Sequence, residues 1–407
     1  MPKSNNDFFK EKKIWSKVKD ELLGCYLTPY FSKILWTRKP ILYVDGFSGK
    51  GKFDDGENGS PITALECLEN SMLRYKGNNK PTVKMKFIEL NHAEDLINNL
   101  SDEQKQRSEV IAGKFEEQVI PLLQNAANQN RNQNVFLYID PYGVKALNAT
   151  LFDALPDVFQ TVELLINLNS WGFLRMAFAL KKTDFREEED KIFQDLEEYD
   201  SSTAATIEEI NDIAGGDYWQ EIVNNYNKRS IDGYQAEKEF AQKYKLRLRE
   251  KYNYVLDMPI RLKAGNHPKY RMVYATNHPD GCILMADNIV ARTDRLIVDV
   301  QRGGQLNLFE ETAENEIISI DELTEKAKTM LNNLHNYTRL KTFLADFYNT
   351  FGILCGSSKL KEVLKELEGC NYIEVKRTPA LTKASKPKPT RFWDEKGEKA
   401  IELKRMS

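Results

Sequence analysis

The sequence is short of the residues that mark most metal and redox sites. It has four histidines, none at ligand spacing, and five cysteines (Cys25, Cys67, Cys282, Cys355 and Cys370) scattered without a metal-binding interval. Zinc is therefore not expected. An odd, dispersed set of thiols reads as reduced cysteine in a cytoplasm rather than as a disulfide framework. No apolar run is long enough to span a bilayer, and the lysine-rich first residues lack the apolar core of a signal peptide. Net charge is −3 with 29% charged residues, so the whole chain is not built as a general binder of polyanions. The expectation is a cytoplasmic protein without membrane contact, and 407 residues suggest two domains.

What is present begins with Ile41 to Gly51, where four apolar residues form a strand that ends on Asp45 and turns through Gly46, Gly49 and Gly51. A helix pattern follows, with Ser60 as its expected N-cap, Pro61 in its first turn, and Ile62, Leu65, Leu68 and Met72 at helical spacing. Strand, acidic residue, glycine turn and helix is how doubly wound α/β proteins bring backbone close to a nucleotide. Gly46 to Lys52 also fits Gly-x4-Gly-Lys, but Phe53 stands where a magnesium-binding Ser or Thr is needed. Asp45 at the mouth of the loop would repel a triphosphate. A cofactor with a ribose, a positive charge and no phosphate suits the loop better, and S-adenosylmethionine (SAM) is such a molecule. A nucleoside triphosphatase and a purely structural turn stay open beside it.

Three further strands carry the same argument. Lys84 to Leu90 ends near Glu89, placed to accept hydrogen bonds from ribose hydroxyls, although 44 residues separate it from Asp45 where about 20 is usual. Glu109 to Ala112 leads into Gly113, Lys114 and Phe115, an expected edge for the adenine. Asn134 to Ile139 ends in Asp140, Pro141, Tyr142 and Gly143. In amino-methyltransferases an Asp-Pro-Pro-Tyr tetrapeptide presents a carboxylate or carbonyl to the target amine and an aromatic ring to a flipped base. Here the aromatic comes one residue early, and a plain strand-closing turn is the alternative.

Taken together, these segments resemble the three-Cys-motif partner family of the class I SAM-dependent methyltransferase-like superfamily. The resemblance covers roughly residues 7–300. It is carried by Trp15 to Lys19, Tyr26 and Leu27, the Tyr43 to Gly51 loop, Gly59 to Pro61, Phe87 to Glu89, and Ile139 to Gly143. Ile166 to Leu168, Tyr218 and Trp219, and Tyr270 to Met285 extend it. It implies a Rossmann-like class I methyltransferase sheet, SAM as cofactor, and a partner with three clustered cysteines that looks like a radical-SAM-type iron–sulfur protein. On this reading Asp45, Phe47, Gly49, Gly51, Glu89 and Lys114 would hold the cofactor, while Asp140, Pro141 and Tyr142 would face the substrate amine.

The first domain is expected over 1–300, with a helical insertion at about 175–250, a linker at 301–318, and a second domain at 319–407. Residues 5–37 read as one or two amphipathic helices whose lysines (Lys10, Lys12, Lys13, Lys17, Lys19) form either a solvated face or a phosphate contact. Strands are expected at 162–168, Tyr254 to Leu262 and Tyr270 to Thr276, and Asn277 to Gly281 reads as a turn. Helices at 321–333, 337–351 and 357–368, then strands at 372–376 and Thr390 to Asp394, spell a C-terminal winged helix. Residues 371–407 hold ten Lys or Arg against five Asp or Glu. Ser358, Lys359 and Lys361 would lead the recognition helix, and Lys383, Lys386, Lys388 and Arg391 would line the wing. The expected function is SAM-dependent methylation of nucleic acid at an exocyclic amino group. The alternative is a non-catalytic winged-helix scaffold with a vestigial SAM pocket.

Overall fold

The computed structural model describes residues 9–12, 14–141, 143–144, 147–159, 161–186, 206–260, 268, 270–303, 318–382, 385–388, 393, 395 and 399–406. Tyr142, Lys383 and Arg391 lie outside the described residues. The chain divides into two compact units, Met1–Asn277 and His278–Ser407.

In the first unit, helix α1 (Ile14–Ile34) precedes β1 (Ile41–Asp45), α2 (Ser60–Arg74), β2 (Val83–Glu89), α3 (Ala93–Asn99), α4 (Asp102–Arg107) and β3 (Ser108–Ala112). There follow α5 (Phe115–Gln129), β4 (Asn134–Ile139), α6 (Ala149–Asp153), α7 (Leu155–Val158), β5 (Thr161–Leu168) and α8 (Ser170–Leu180). Three helices, α9 (Ile207–Ala214), α10 (Trp219–Asn227) and α11 (Gly233–Leu248), lead to β6 (Tyr254–Ile260) and β7 (Tyr270–Thr276).

One seven-stranded sheet runs in the order β3-β2-β1-β4-β5-β7-β6. β7 is antiparallel to both β5 and β6, and the other neighbours are parallel. β1 and β4 are buried along their whole length, which is why they read as unbroken apolar runs rather than as alternating ones. Capping boxes start α4 (Ser101 with Gln104), α9 (Thr206 with Glu209) and α11 (Asp232 with Gln235). The chain leaves β1 towards β2 and β3, then returns to build β4 and β5 on the other side. The crevice where an α/β sheet takes its ligands therefore lies at the carboxyl ends of β1 and β4.

Helix α1 is fixed to the sheet by a buried polar cluster. The Tyr26 hydroxyl bonds Glu163 of β5, the Tyr274 hydroxyl donates to the same carboxylate oxygen at 2.7 Å, and the two hydroxyls lie 2.6 Å apart. Burial, opposed by these two bonds, pushes the Glu163 carboxyl up to about 7.

The second unit holds α12 (Pro279–Gly303), α13 (Ile320–Leu331), β8 (Thr338–Arg339), α14 (Leu340–Phe351), α15 (Ser357–Gly369), β9 (Ile373–Thr378) and β10 (Ala400–Arg405). Its antiparallel sheet has the order β8-β10-β9. Two expectations are corrected here. Residues 279–281 are not part of a turn but open α12, where Pro279 fits because a first helical turn needs no amide from it. The strand paired with β9 is Ala400–Arg405, which buries Ile401 and Leu403, while of the strand expected at 390–394 only Trp393 is among the described residues. α12 groups with the second unit although the sequence assigned it to the first. The expected linker begins inside α12, and its residues 304–317 lie outside the described ones. Among the described residues no helix is long and apolar enough to cross a membrane.

The Glu163 cluster sets a pH dependence. Between about pH 4.5 and 7 the folded chain holds a proton on Glu163 that the unfolded chain has released. This stabilising contribution is complete below the unfolded value and is lost as pH rises through the folded one. Glu163→Gln keeps a neutral partner for both tyrosines and should flatten the loss of stability between about pH 5 and 7.5, read as urea midpoints.

Candidate functional site

Asp45 closes β1 and is fully buried. Its Oδ1 accepts the Phe47 amide at 3.1 Å and its Oδ2 accepts the Ser60 hydroxyl at 2.6 Å. Desolvation raises this carboxyl to about 7, against the lowering effect of the two bonds. Asp45 therefore does not stand at the mouth of the loop. It ties the glycine loop to α2, and Ser60 spends its hydroxyl on this bond while Gly59 occupies the N-cap. The loop is also stitched to both neighbouring strands, by Gly46 N to Tyr138 O at 2.9 Å and Ser48 N to Ile88 O at 3.1 Å.

The glycines make room for the protein's own side chains. A Cβ on Gly46 would lie 2.6 Å from the Phe115 ring, and one on Gly51 would lie 2.5 Å from Leu96. Gly49 and Gly51 also take positive φ angles of 59° and 74°, where a side chain is strained. Phe9 covers Gly49, and Phe47 packs on Phe115 with ring centroids 5.1 Å apart. No helix follows Lys52 directly, since α2 begins only at Ser60. The phosphate-cradling arrangement of loop and helix N-terminus is thus missing, and Phe53 is buried instead.

Glu89, at the end of β2, accepts three backbone amides: Gly49 N at 2.7 Å on Oε2, and Asn91 N and His92 N at 2.9 and 3.1 Å on Oε1. It fixes the loop against the β2 end while its side chain stays half-exposed at the crevice. Lys114 is exposed at the start of α5 and pairs with Glu117 at 3.4 Å.

The most polar part of the crevice forms where α1 crosses β4 and β5. Lys19 Nζ donates to both Asp140 oxygens, at 2.7 and 2.6 Å. Asn167 Nδ2 donates to Asp140 Oδ1 at 2.7 Å and the Tyr138 hydroxyl to Oδ2 at 3.3 Å. Four bonds fill the lone-pair sites of one carboxylate. Lys19, with a side chain 9% exposed, also lies over the Tyr270 ring, 5.4 Å from its centroid. One position along α1, Asp20 pairs with Lys12 at 2.7 Å, and burial still lifts its carboxyl to about 6. Three polar atoms here are buried without a hydrogen-bond partner among the described residues: Ser16 Oγ, Asn167 Oδ1 and Asn169 Nδ2. Pro141 is buried beside Asp140.

A second charged chain lies at the other side of β5. Ser170 Oγ donates to Glu237 at 2.6 Å, Arg271 grips Glu237 at 2.7 and 2.9 Å and Asp257 at 2.8 Å, and Lys245 closes on Asp257. A cleft of about 490 Å³ lies between α5 and strands β1, β2 and β3, lined by Pro40, Thr82, Lys84, Gln129 and Gln133. Its lining also includes Lys86, Ile111 and Gln118 along the same strands and α5.

Sequence reasoning named Asp45, Glu89 and Asp140 but missed what holds them. Lys19 was counted among surface lysines, although Ser16, Lys19, Leu23, Tyr26 and Tyr30 recur at helical spacing. A lysine on an apolar stripe was the available signal.

In the second unit, Ser357 is buried, and its amide and hydroxyl both bond Asp287 of α12, at 2.6 and 2.7 Å. Lys359 Nζ donates to Ile318 O at 3.0 Å. The outward face of α15 carries Ser358, Lys361, Glu362, Lys365 and Glu366, which balance in charge. Arg377 is locked on Glu368 by two 2.7 Å bonds, and Lys404 pairs with Glu374 at 2.9 Å. Lys386 and Lys388 sit on a tight loop closed by Thr382 N to Lys386 O and Lys388 N to Ala380 O.

No family model and no curated protein sequence matches the chain, so the three-Cys-motif partner resemblance gains no support from them. Among solved structures, a loganic acid methyltransferase with SAH is 10% identical, covering 74% of this chain and 86% of its own, with a TM-score of 0.32. A cyclopropane-fatty-acyl-phospholipid synthase-like protein from Lactobacillus casei ATCC 334 is 12% identical over 62% of this chain and 91% of its own, with a TM-score of 0.22. Scores this low carry no argument, and the fold rests on the strand order itself. A mostly parallel seven-stranded sheet with an antiparallel β7 fits a Rossmann-like methyltransferase fold.

Lys19 and Asp140 should behave as one unit. Removing either leaves a buried charge, at a cost of about 3–5 kcal/mol. Lys19→Met combined with Asp140→Leu should cost clearly less than the two separate losses summed, and a double-mutant cycle in urea measures the coupling.

Proposed function

We propose that this protein is a SAM-dependent methyltransferase whose cofactor lies across the carboxyl ends of β2, β1 and β4. The observation that carries this reading is the crevice at the β1/β4 switch point. A glycine loop, the half-exposed Glu89 and the Lys19–Asp140–Asn167 cluster converge there on consecutive strand ends. The residues fit the group: Glu89 stands where ribose hydroxyls bind, the partly buried Phe47, backed by the core residue Phe115, offers an aromatic surface, and a buried Asn167 oxygen lies unmet beside Asp140. When bound, SAM supplies a sulfonium methyl group open to in-line displacement by an amine. The chain's part is to position the acceptor and exclude water. Because the Asp140 carboxylate is fully engaged, the main-chain carbonyls of Asp140 and Pro141 are the acceptors we assign to the amine's N–H.

The acceptor is proposed to be an exocyclic amino group of a nucleic acid, with the second unit binding nucleic acid as a winged helix. Its order of three helices and a three-stranded antiparallel sheet supports that reading, as does the excess of basic residues after 371. A second reading, docking of a protein such as a three-cysteine iron–sulfur partner, is favoured by one observation: the outward face of α15 is charge-balanced. On that reading the pocket could be vestigial, with cofactor bound and nothing methylated.

Calorimetric titration with SAM, SAH and Mg-ATP tests the cofactor. Micromolar binding of SAM and SAH, with none of Mg-ATP, is expected, and Glu89→Ala should weaken SAH by about tenfold or more. Binding of Mg-ATP in place of SAM would overturn the proposal. Transfer of labelled methyl to total DNA, RNA or protein then identifies the acceptor. Label in protein alone would contradict the nucleic-acid reading.

A further inference from the structure

We infer that Ser16, Lys19 and Asn167 form a seat for the zwitterionic amino-acid end of the cofactor, an inference that rests on the SAM reading above. Adenosine anchored at Glu89 on the β2 side leaves the other end of the molecule to extend over β1 towards β4, where this cluster lies. An α-amino acid presents a carboxylate and an ammonium on one carbon. A seat for it needs donors and an acceptor side by side.

The structure has both. Ser16 and Lys19 are three residues apart on α1, so their β-carbons share a face at about 5–6 Å. Asp140 takes two of the three donors of the Lys19 ammonium, and the third remains for an incoming carboxylate. Ser16 is 5% exposed, and its hydroxyl has no partner among the described residues. Asn167 is 2% exposed; its Nδ2 is spent on Asp140, which turns the partnerless Oδ1 away from that carboxylate and leaves it to receive an ammonium. Unmet buried groups of this kind are rare in a folded chain, so one a helical turn from the paired lysine and another on the residue that bonds its carboxylate partner mark a place completed by a ligand. In this arrangement Asp140 is a positioning residue: it aims the lysine and sets the orientation of the Asn167 amide.

The test compares SAH with 5′-methylthioadenosine, which keeps the thioether nucleoside and lacks the amino-acid end. Wild-type protein should bind SAH well above methylthioadenosine. Lys19→Met should lower SAH affinity about ten- to hundredfold and leave methylthioadenosine within about twofold, with Lys19→Arg restoring most of the loss. Ser16→Ala leaves the ion pair intact, so it covers the case in which Lys19→Met fails to fold; it should cut SAH affinity about fivefold or more. Equal loss for both ligands in folded variants, or no loss of SAH in either, overturns the inference, as does wild-type binding of both ligands with equal affinity. Wild-type protein that binds neither ligand overturns the cofactor reading itself, and this inference with it.

Discussion

The buried ion pair between Lys19 and Asp140 is the constraint on which the crevice depends. It joins the helix that precedes the sheet to the end of a central strand, and it does so where the sheet's topology reverses. A lone pair of this kind gives little net stability, because two ions must be desolvated to make it. Its value lies in geometry. With Asn167 and Tyr138 completing the carboxylate's bonds, α1, β4 and β5 are held in one register, and Ser16 of α1 and Asn167 of β5 each keep a buried polar atom without a partner among the described residues. The Tyr26–Glu163–Tyr274 cluster fixes the same helix further along its length, so α1 is held at two points.

Around this frame the acidic residues divide their work by burial. Asp45 is sealed in and serves the loop. Glu89 is half-exposed and binds loop amides while still reaching the crevice. Asp140 is partly covered and serves the lysine. Three strand-end carboxylates that look equivalent in one dimension thus have three different roles. The raised values of Asp45 and Asp20 follow from the same burial and give stability the same downward slope above mildly acidic pH as Glu163 does.

The parallel strands were legible because buried strands in α/β sheets are continuous apolar runs ended by an acidic residue, and β1 and β4 both have that form. The glycine loop was legible as a turn, but the use of its glycines was not: the space at Gly46 goes to Phe115, a residue far along the chain. Tertiary contacts of that kind leave no local trace. The same holds for Lys19, whose partner is 121 residues away, and for Ser60, which looked like a cap and instead bonds Asp45. In the second unit the sequence reading placed the partner of β9 at 390–394 and did not name 400–405. The strand that pairs with β9 is Ala400–Arg405, a tertiary pairing that local propensity does not reveal.

The central claim is that ligand binds at the β1/β4 switch point rather than in the cleft between α5 and strands β1 to β3. Amide hydrogen exchange with and without saturating SAH tests it most directly. The account predicts slowed exchange at 46–51, at 89–92 and in the first turns of α1 around Ser16 and Lys19, with no change at 40–42 or 118–133. Protection confined to the residues lining that cleft, or no protection at all, would contradict it.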